Sequence, residues 1–403
     1  MARHEDRRGA HGPPPAFDRI AREGGRFTYA FCASPSCTPS RSAVRTGRHL
    51  GQIGKAGVLS GTLPQKFPVF PHLLPAAGYH TGFTPKGRGP GEWPAGGLAR
   101  HPLGREKRLA DVTVPPDWPD TAEVRRDLLD YALEIDWFDA QLAKIIAQLE
   151  TLGELDHTLV VVTSDNGMPL PRAKTIRCDP GVRMPFAVRW PGRIPAGRVV
   201  DDFVRHLDFA PTFLEAAGAA GPAAFTGRSL LPVLTSRAAG RVDPTRDAAH
   251  TALERHTWCR ADGGGYPMRA LRTADFLYIR NFAPDRWPTR GPDFISSNKT
   301  FHGDGAPIKA FMEAPANQRR FPVPFALCYG KRPSRNSTPS APIRTKSTTS
   351  PPIPPIAPPG RNCGRNSALT SSKPAIRASR AAIPGRPTPT AKPSVLAQPS
   401  IAP

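Results

Sequence analysis

The sequence predicts an α/β fold, in which a sheet carries packed helices, and three stretches support this. Residues 121–152 hold apolar side chains at alternating steps of three and four: Val124, Leu128, Tyr131, Ile135, Phe138, Leu142, Ile145 and Leu149. That is the period of a helix with one buried seam, and Gly153 stops it. Thr158–Thr163 follows, a run apolar on both faces, as in a buried strand. Near the start, Phe17–Gly24 reads as a short helix with Phe17, Ile20 and Ala21 on one face, and Phe27–Phe31 alternates as a strand.

In chain order, residues 1–15 are polar and basic and close on Gly12-Pro13-Pro14-Pro15, so they read as a disordered leader. They hold no apolar stretch of the kind a signal peptide needs. After Phe31 comes Cys37-Thr38-Pro39-Ser40-Arg41, then Thr46-Gly47. A helix is predicted from about Pro39. Residue 37 would then sit at its positive end, where backbone N–H groups and the dipole favour an anion. Arg41 would lie one turn along. Taken alone, Cys37 could equally be a buried thiol, or pair with Cys32, although no second pair at zinc-ligand spacing exists. Val69, Phe70, Leu73 and Leu74 mark a short helix closed by Gly78. Tyr79–Phe83 reads as a strand running into a Gly-rich loop with Lys86, and His101 reads as a surface-loop histidine.

The acidic residues of the long helix, including Asp127, Asp130, Glu134 and Asp136, read as a solvated face. The strand at 158–163 runs straight into Ser164-Asp165-Asn166-Gly167. A carboxylate and an amide oxygen at a strand's C-terminal end suit a hard cation, and they also suit an ordinary turn. Lys174 follows in a loop, then Asp179–Pro185 leads into the strand Phe186–Arg189, which ends at the turn Trp190–Arg193. Asp208 reads as the N-cap of a helix through Phe213 and Leu214, and His206 beside it as structural. Arg255 and His256 precede a further strand, Phe276–Phe282.

The Cys-x-Pro-Ser-Arg run with its Thr-Gly, together with Ser164-Asp165-Asn166-Gly167, resembles the signature of the formylglycine-dependent sulfatases. The later segments are similar to bacterial N-sulfoglucosamine sulfohydrolase or heparan N-sulfatase members. The resemblance implies an alkaline-phosphatase-like mixed sheet flanked by helices, with a smaller C-terminal α+β domain. It also implies hydrolysis of a sulfate ester or sulfamate on a sulfated small molecule or glycan. Cys37 would be oxidised to formylglycine by a formylglycine-generating enzyme and act as a gem-diol nucleophile. Arg41, Lys86 and Lys174 would hold charge, Arg255 and His256 would line the pocket, and Asp165 and Asn166 would bind calcium. Two family elements have no counterpart here: the paired Asp residues of a first strand (Asp18 lies in a helix and Glu5-Asp6 in the leader) and an Asp-Pro-His-Arg segment. An inactive remnant is therefore one alternative, and a phosphoester or phosphonate hydrolase of the same superfamily is another. Relatives are often periplasmic or secreted, and the compartment of this chain stays open.

Domain boundaries follow composition: a leader over 1–15, a catalytic domain lacking the first strand over 16–235, a C-terminal subdomain over 236–330 and a tail over 331–403. The tail holds sixteen prolines, twelve Lys or Arg, no Asp or Glu and no aromatic residue, so it cannot bury a core. Codons for Arg335–Pro351 read two bases later allow a run resembling the family's closing Glu-Leu-Tyr motif, so the tail is expected to be out-of-frame translation. The tail also carries more than half of the +22 net charge, which argues against nucleic acid as the partner of the rest. No apolar run approaches the ~18 residues of a membrane span. Six cysteines in 403 residues are too sparse for a disulfide scaffold.

Overall fold

A computed structural model describes residues 15–59, 61–82, 109–256, 260, 263–288 and 307–339. The leader to residue 14, Phe83, the Lys86 loop, His101 and residues 340–403 lie outside the described residues. Contacts divide the chain into two units, Met1–Arg344 and Thr345–Pro403, and every described residue belongs to the first.

Helix α1 (Pro15–Glu23) leads into strand β1 (Gly25–Phe31), and α2 (Cys37–Thr46) follows a short loop. Helix α1 buries Ala16 and Ile20, and its first turn is capped from outside. Asp139, on the long helix, accepts the N–H groups of Ala16 at 2.9 Å and Phe17 at 2.8 Å. Next come α3 (Phe70–Leu73), the long helix α4 (Ala122–Thr151), β2 (Val160–Thr163), α5 (Asp179–Val182), β3 (Arg183–Arg189) and β4 (Arg198–Arg205). Thr121 opens α4 by accepting the N–H of Val124 through its hydroxyl.

These strands form one mixed sheet in the order β2-β3-β1-β4, with β1 parallel to β4 and antiparallel to β3, and β2 antiparallel to β3. Its core joins Phe27, Ala30, Phe186, Val188, Val200 and Val204 to Phe209, Leu230 and Leu234. The Phe27 and Phe186 rings lie 4.7 Å apart. Each fully buried side chain of this size contributes about 1.5–3 kcal/mol.

Helices α6 (Phe209–Ala216) and α7 (Leu231–Thr235) precede a second sheet. It is an antiparallel meander of β5 (Ala248–Leu253), β6 (Met268–Thr273) and β7 (Phe276–Asn281). After α8 (Pro307–Glu313), α9 (Pro315–Arg320) and α10 (Pro322–Tyr329), strand β8 (Arg335–Pro339) pairs with β7. Strand β8 belongs to the stretch whose composition predicted a tail. Its side chains from Arg335 to Thr338 are exposed, so backbone pairing rather than burial places it.

Several expectations are corrected. Phe138 and Ile145 were expected in the buried seam of α4, but they are 49% and 58% exposed. The buried positions are Val124, which packs with Trp118, Ile308 and Met312, and Leu142 and Ile146, which pack with Ala16 and Ile20 of α1 and Val162 of β2. Strand β2, at one edge of the described sheet, buries only Val162, although its sequence reads as apolar on both faces. Asp127 is not solvated: it is buried and accepts the N–H of Ile308 at 2.9 Å, capping α8. Tyr79–Gly82 forms no strand, and Tyr79 is half exposed.

Asp208 makes no side-chain cap on α6. Fully buried, it accepts from Arg246 at 3.0 Å, from Arg205 at 2.9 Å and from the backbone N–H of Arg228 at 2.9 Å. Removing this carboxylate would leave the nearly buried Arg246 guanidinium short of its counter-charge. Asp208→Ala is expected to lower stability by about 3–5 kcal/mol in urea titration, as for other broken buried pairs. A loss under about 1 kcal/mol would contradict that reading.

Candidate functional site

The short loop before α2 places the site. Cys32 N–H donates to Val182 O at 2.9 Å, Ala252 N–H donates to Ala33 O at 2.9 Å, and Thr175 N–H donates to Pro35 O at 3.0 Å. Residues 32–36 are buried. Ser36 is extended at the helix N-cap and makes no side-chain cap. Its Oγ instead lies 2.9 Å from His256 Nδ1. Helix α2 starts at Cys37 itself, two residues earlier than the proline suggested. Partly buried Cys37 is thus in the first turn, where unpaired N–H groups favour negative charge.

At its far end α2 is closed by Gly47, whose φ of 59° is the left-handed conformation glycine adopts without strain. Gly47 N–H returns to Ala43 O, and its carbonyl accepts from Thr226 and Gly227. Thr46 Oγ1 donates to Ser42 O at 2.7 Å. The Thr-Gly pair is therefore a helix stop that also anchors α2 to the 226–227 segment.

One turn beyond Cys37, Arg41 Nε donates to Asp165 Oδ2 at 2.6 Å. The pair is partly open to solvent, with side chains 42% and 25% exposed, so it is worth about 1 kcal/mol or less. Its consequence is positional: it ties the Cys37 helix to the end of β2. Asn166 is buried and donates Nδ2–H to Gly167 O at 2.8 Å, while its Oδ1 has no hydrogen-bond partner. An acceptor oxygen buried in that state is unfavourable unless a donor or cation meets it. Gly167 is required by close approach, because a Cβ there would sit 2.0 Å from Pro180 O.

The Lys174 loop closes one side. Lys174 N–H donates to Met168 O at 3.1 Å, and the neighbouring Thr175 contact holds the loop against the segment before Cys37. Arg172 and Thr175 both take positive φ, 65° and 72°. For a β-branched threonine this costs on the order of 1–3 kcal/mol, and such strain gathers at functional loops. Arg255 is turned toward the 263 loop and donates to Gly263 O at 3.0 Å. Cys37, Arg41, Asp165 and His256 thus come together across α2, the β2 end and the segment after β5, with the Lys174 loop alongside.

For a divalent cation, Asp165 and Asn166 supply oxygen donors of the right chemistry, and the orphaned Asn166 Oδ1 fits that use. Among the described residues no group of three or more His, Cys, Asp or Glu gathers to complete a site.

One neighbour was read only as structural. Fully buried His206 spans α2 and β2, with Nδ1 3.3 Å from Ser40 Oγ and Nε2 3.5 Å from Thr163 Oγ1. Burial pushes its pKa down to about 4. No local pattern marks this bridge, since its partners are 166 and 43 residues away in sequence.

The family model described as Sulfatase matches residues 6–95 and 98–219. An ulvan-active sulfatase of Formosa agariphila is 30% identical over 173 residues, 43% of this chain and 27% of that protein. The N-sulphoglucosamine sulphohydrolase of Homo sapiens is 30% identical over 181 residues, 42% of this chain and 34% of that protein. The chain thus spans about a quarter to a third of these two relatives. A phosphonate monoester hydrolase of Agrobacterium radiobacter shares the fold with a TM-score of 0.53 at 16% identity, covering 67% of this chain and 82% of that one. The fold is accordingly of the alkaline-phosphatase-like α/β class.

His206 yields a pH prediction. A depressed histidine pKa means the unfolded chain binds the extra proton first. Its contribution is whole above about pH 6.5 and falls as pH drops toward 4. The loss should reach about 3 kcal/mol. Urea midpoints of the wild type and His206→Gln across that window check it: the variant should show a flatter profile, and parallel profiles would contradict it.

Proposed function

Since the chain belongs to the sulfatase family, we propose that it hydrolyses a sulfate ester or sulfamate, with a sulfated glycan as the substrate class. The observation that carries this is Cys37 in the first turn of α2, with Arg41 one turn on and held by Asp165 from the end of β2. The glycan reading is supported by the ulvan-active and N-sulphoglucosamine relatives.

In this reading Cys37 is converted to formylglycine by a formylglycine-generating enzyme. The hydrated aldehyde supplies both the attacking hydroxyl and the hydroxyl that later releases sulfate. The first-turn N–H groups of α2 and the Arg41 guanidinium stabilise negative charge on oxygen at residue 37. Lys174 contributes a further positive charge from its loop, and Lys86 is assigned the same role from the sequence alone. His256, held at Ser36, borders the pocket beside residue 37. Asp165 Oδ and the unpartnered Asn166 Oδ1 would hold calcium, which supplies Lewis-acid stabilisation of the sulfate oxygens. To do so, Asp165 must share its carboxylate between Arg41 and the cation.

A phosphoester or phosphonate specificity is the second reading, because a phosphonate monoester hydrolase shares the fold. Paired aryl sulfate and aryl phosphate esters separate the two. The wild type, produced with a formylglycine-generating enzyme and calcium, is expected to show the higher kcat/KM on the sulfate. Cys37→Ala should abolish turnover, and Arg41→Ala should lower kcat by about a hundredfold or more. A preference for the phosphate ester would favour the second reading. No turnover of either ester would overturn the proposal.

A further inference from the structure

Arg177 is fully buried, and its guanidinium is poorly served. Nη1 reaches Thr251 O at 3.4 Å, while Nε and Nη2 have no hydrogen-bond partner. Other buried arginines of this protein are well partnered. Arg246 meets Asp208 and the carbonyls of Arg228 and Ser229, with only its Nε left without a hydrogen bond. Arg189 meets Glu23, Asp156 and Leu155 O. Arg272 meets both oxygens of Asp179. Arg198 spreads over the carbonyls of Ala238, Leu234 and Val233. Arg177 alone among these five has neither a carboxylate nor a set of carbonyls.

A guanidinium stays charged in proteins, so burial without a counter-ion is strongly unfavourable. The neighbouring groups do not provide one. Cys32 uses its thiol as a donor, to Ser34 O at 3.1 Å and more weakly toward Gly181 O, and burial pushes its pKa up, which keeps it protonated. The Glu254 carboxylate is engaged by Arg269, whose own charge adds repulsion. Two hydroxyls are idle as well. Ser34 Oγ and Thr251 Oγ1 are both buried without partners. Their sequence neighbours Ala33 and Ala252 are joined by the Ala252 N–H to Ala33 O bond, and Thr251 supplies the carbonyl that Arg177 touches.

Uncompensated positive charge with two idle hydroxyls is the chemistry of an anion site. Arg177 and Ser34 have no exposure to solvent, which excludes a sugar sulfate and suits a small ion shed of its water. We propose that Arg177, Ser34 and Thr251 hold a chloride-sized monovalent inorganic anion beside the buried segment Cys32–Ser36 that precedes Cys37. The site neutralises Arg177 and braces the segment preceding residue 37, and it does not depend on the hydrolytic reading.

Thermal unfolding of the full chain in sodium chloride, compared with sodium gluconate at equal ionic strength, tests this. The wild-type Tm is expected to rise by several degrees on exchange into about 0.2 M chloride, as for any ion that binds only the folded state. Arg177→Met should lose that dependence. An unchanged wild-type Tm, or the same rise in Arg177→Met, would overturn the proposal. Should the variant not fold, wild-type crystals soaked in bromide decide it. An anomalous peak within hydrogen-bond reach of the Arg177 guanidinium supports the site. Its absence, or the Glu254 carboxylate in that place, overturns it.

Discussion

The candidate site depends on how the segment Cys32–Ser36 is held. Backbone hydrogen bonds fix it to the turn before β3, to β5 and to the Lys174 loop, stretches far apart in sequence. Backbone bonds of this kind are directional and satisfy buried groups that would otherwise be costly. They fix where α2 begins, and so where Cys37 stands. The same clamp gathers the Lys174 loop and, through Ser36, His256. Arg41 then binds the helix to the end of β2. None of these contacts is individually strong. Their effect is to leave residue 37 little positional freedom, which is what a positioned nucleophile requires.

Much of this was legible in the sequence because the informative residues are local. Cys37 to Thr46 lie on one helix, whose closure by the left-handed Gly47 only the structure shows. Asp165 and Asn166 sit where an apolar run ends. What the sequence did not disclose are long-range pairings. Asp208 looked like a helix cap, yet its partners are Arg246 and Arg205. His206 was read as structural, but nothing local showed that it bridges Ser40 and Thr163. Asp127 and Asp139 lie on a charged helix whose other acidic side chains are exposed or half-buried, Glu134 and Asp136 among the half-buried ones. Each of the two is drawn inward by the unpaired N–H groups of another helix's first turn.

The helical period of α4 was correct, and the width of its buried face was not. A 3.6-residue pattern gives the stripe that can be buried, while the extent of the sheet below decides how much of it is. Leu142 and Ile146 meet α1 and β2, while Phe138 and Ile145 stay about half exposed. The orphaned Asn166 Oδ1 adjoins Asp165, which holds Arg41, and the strained Thr175 donates to Pro35 O, two residues before Cys37. Unsatisfied polar atoms and positive φ at non-glycine residues tend to gather where a site is shaped for a ligand rather than for stability.

The account turns on residue 37 being a nucleophile precursor and not a structural thiol. The most direct measurement is peptide mass spectrometry of the Cys37 segment from protein produced with and without a formylglycine-generating enzyme, followed by labelling with an aldehyde-reactive hydrazide. The account predicts that co-production converts Cys37 to the aldehyde and that only this peptide takes the label. A peptide that keeps its thiol under both conditions, alongside conversion of a control sulfatase, would contradict it.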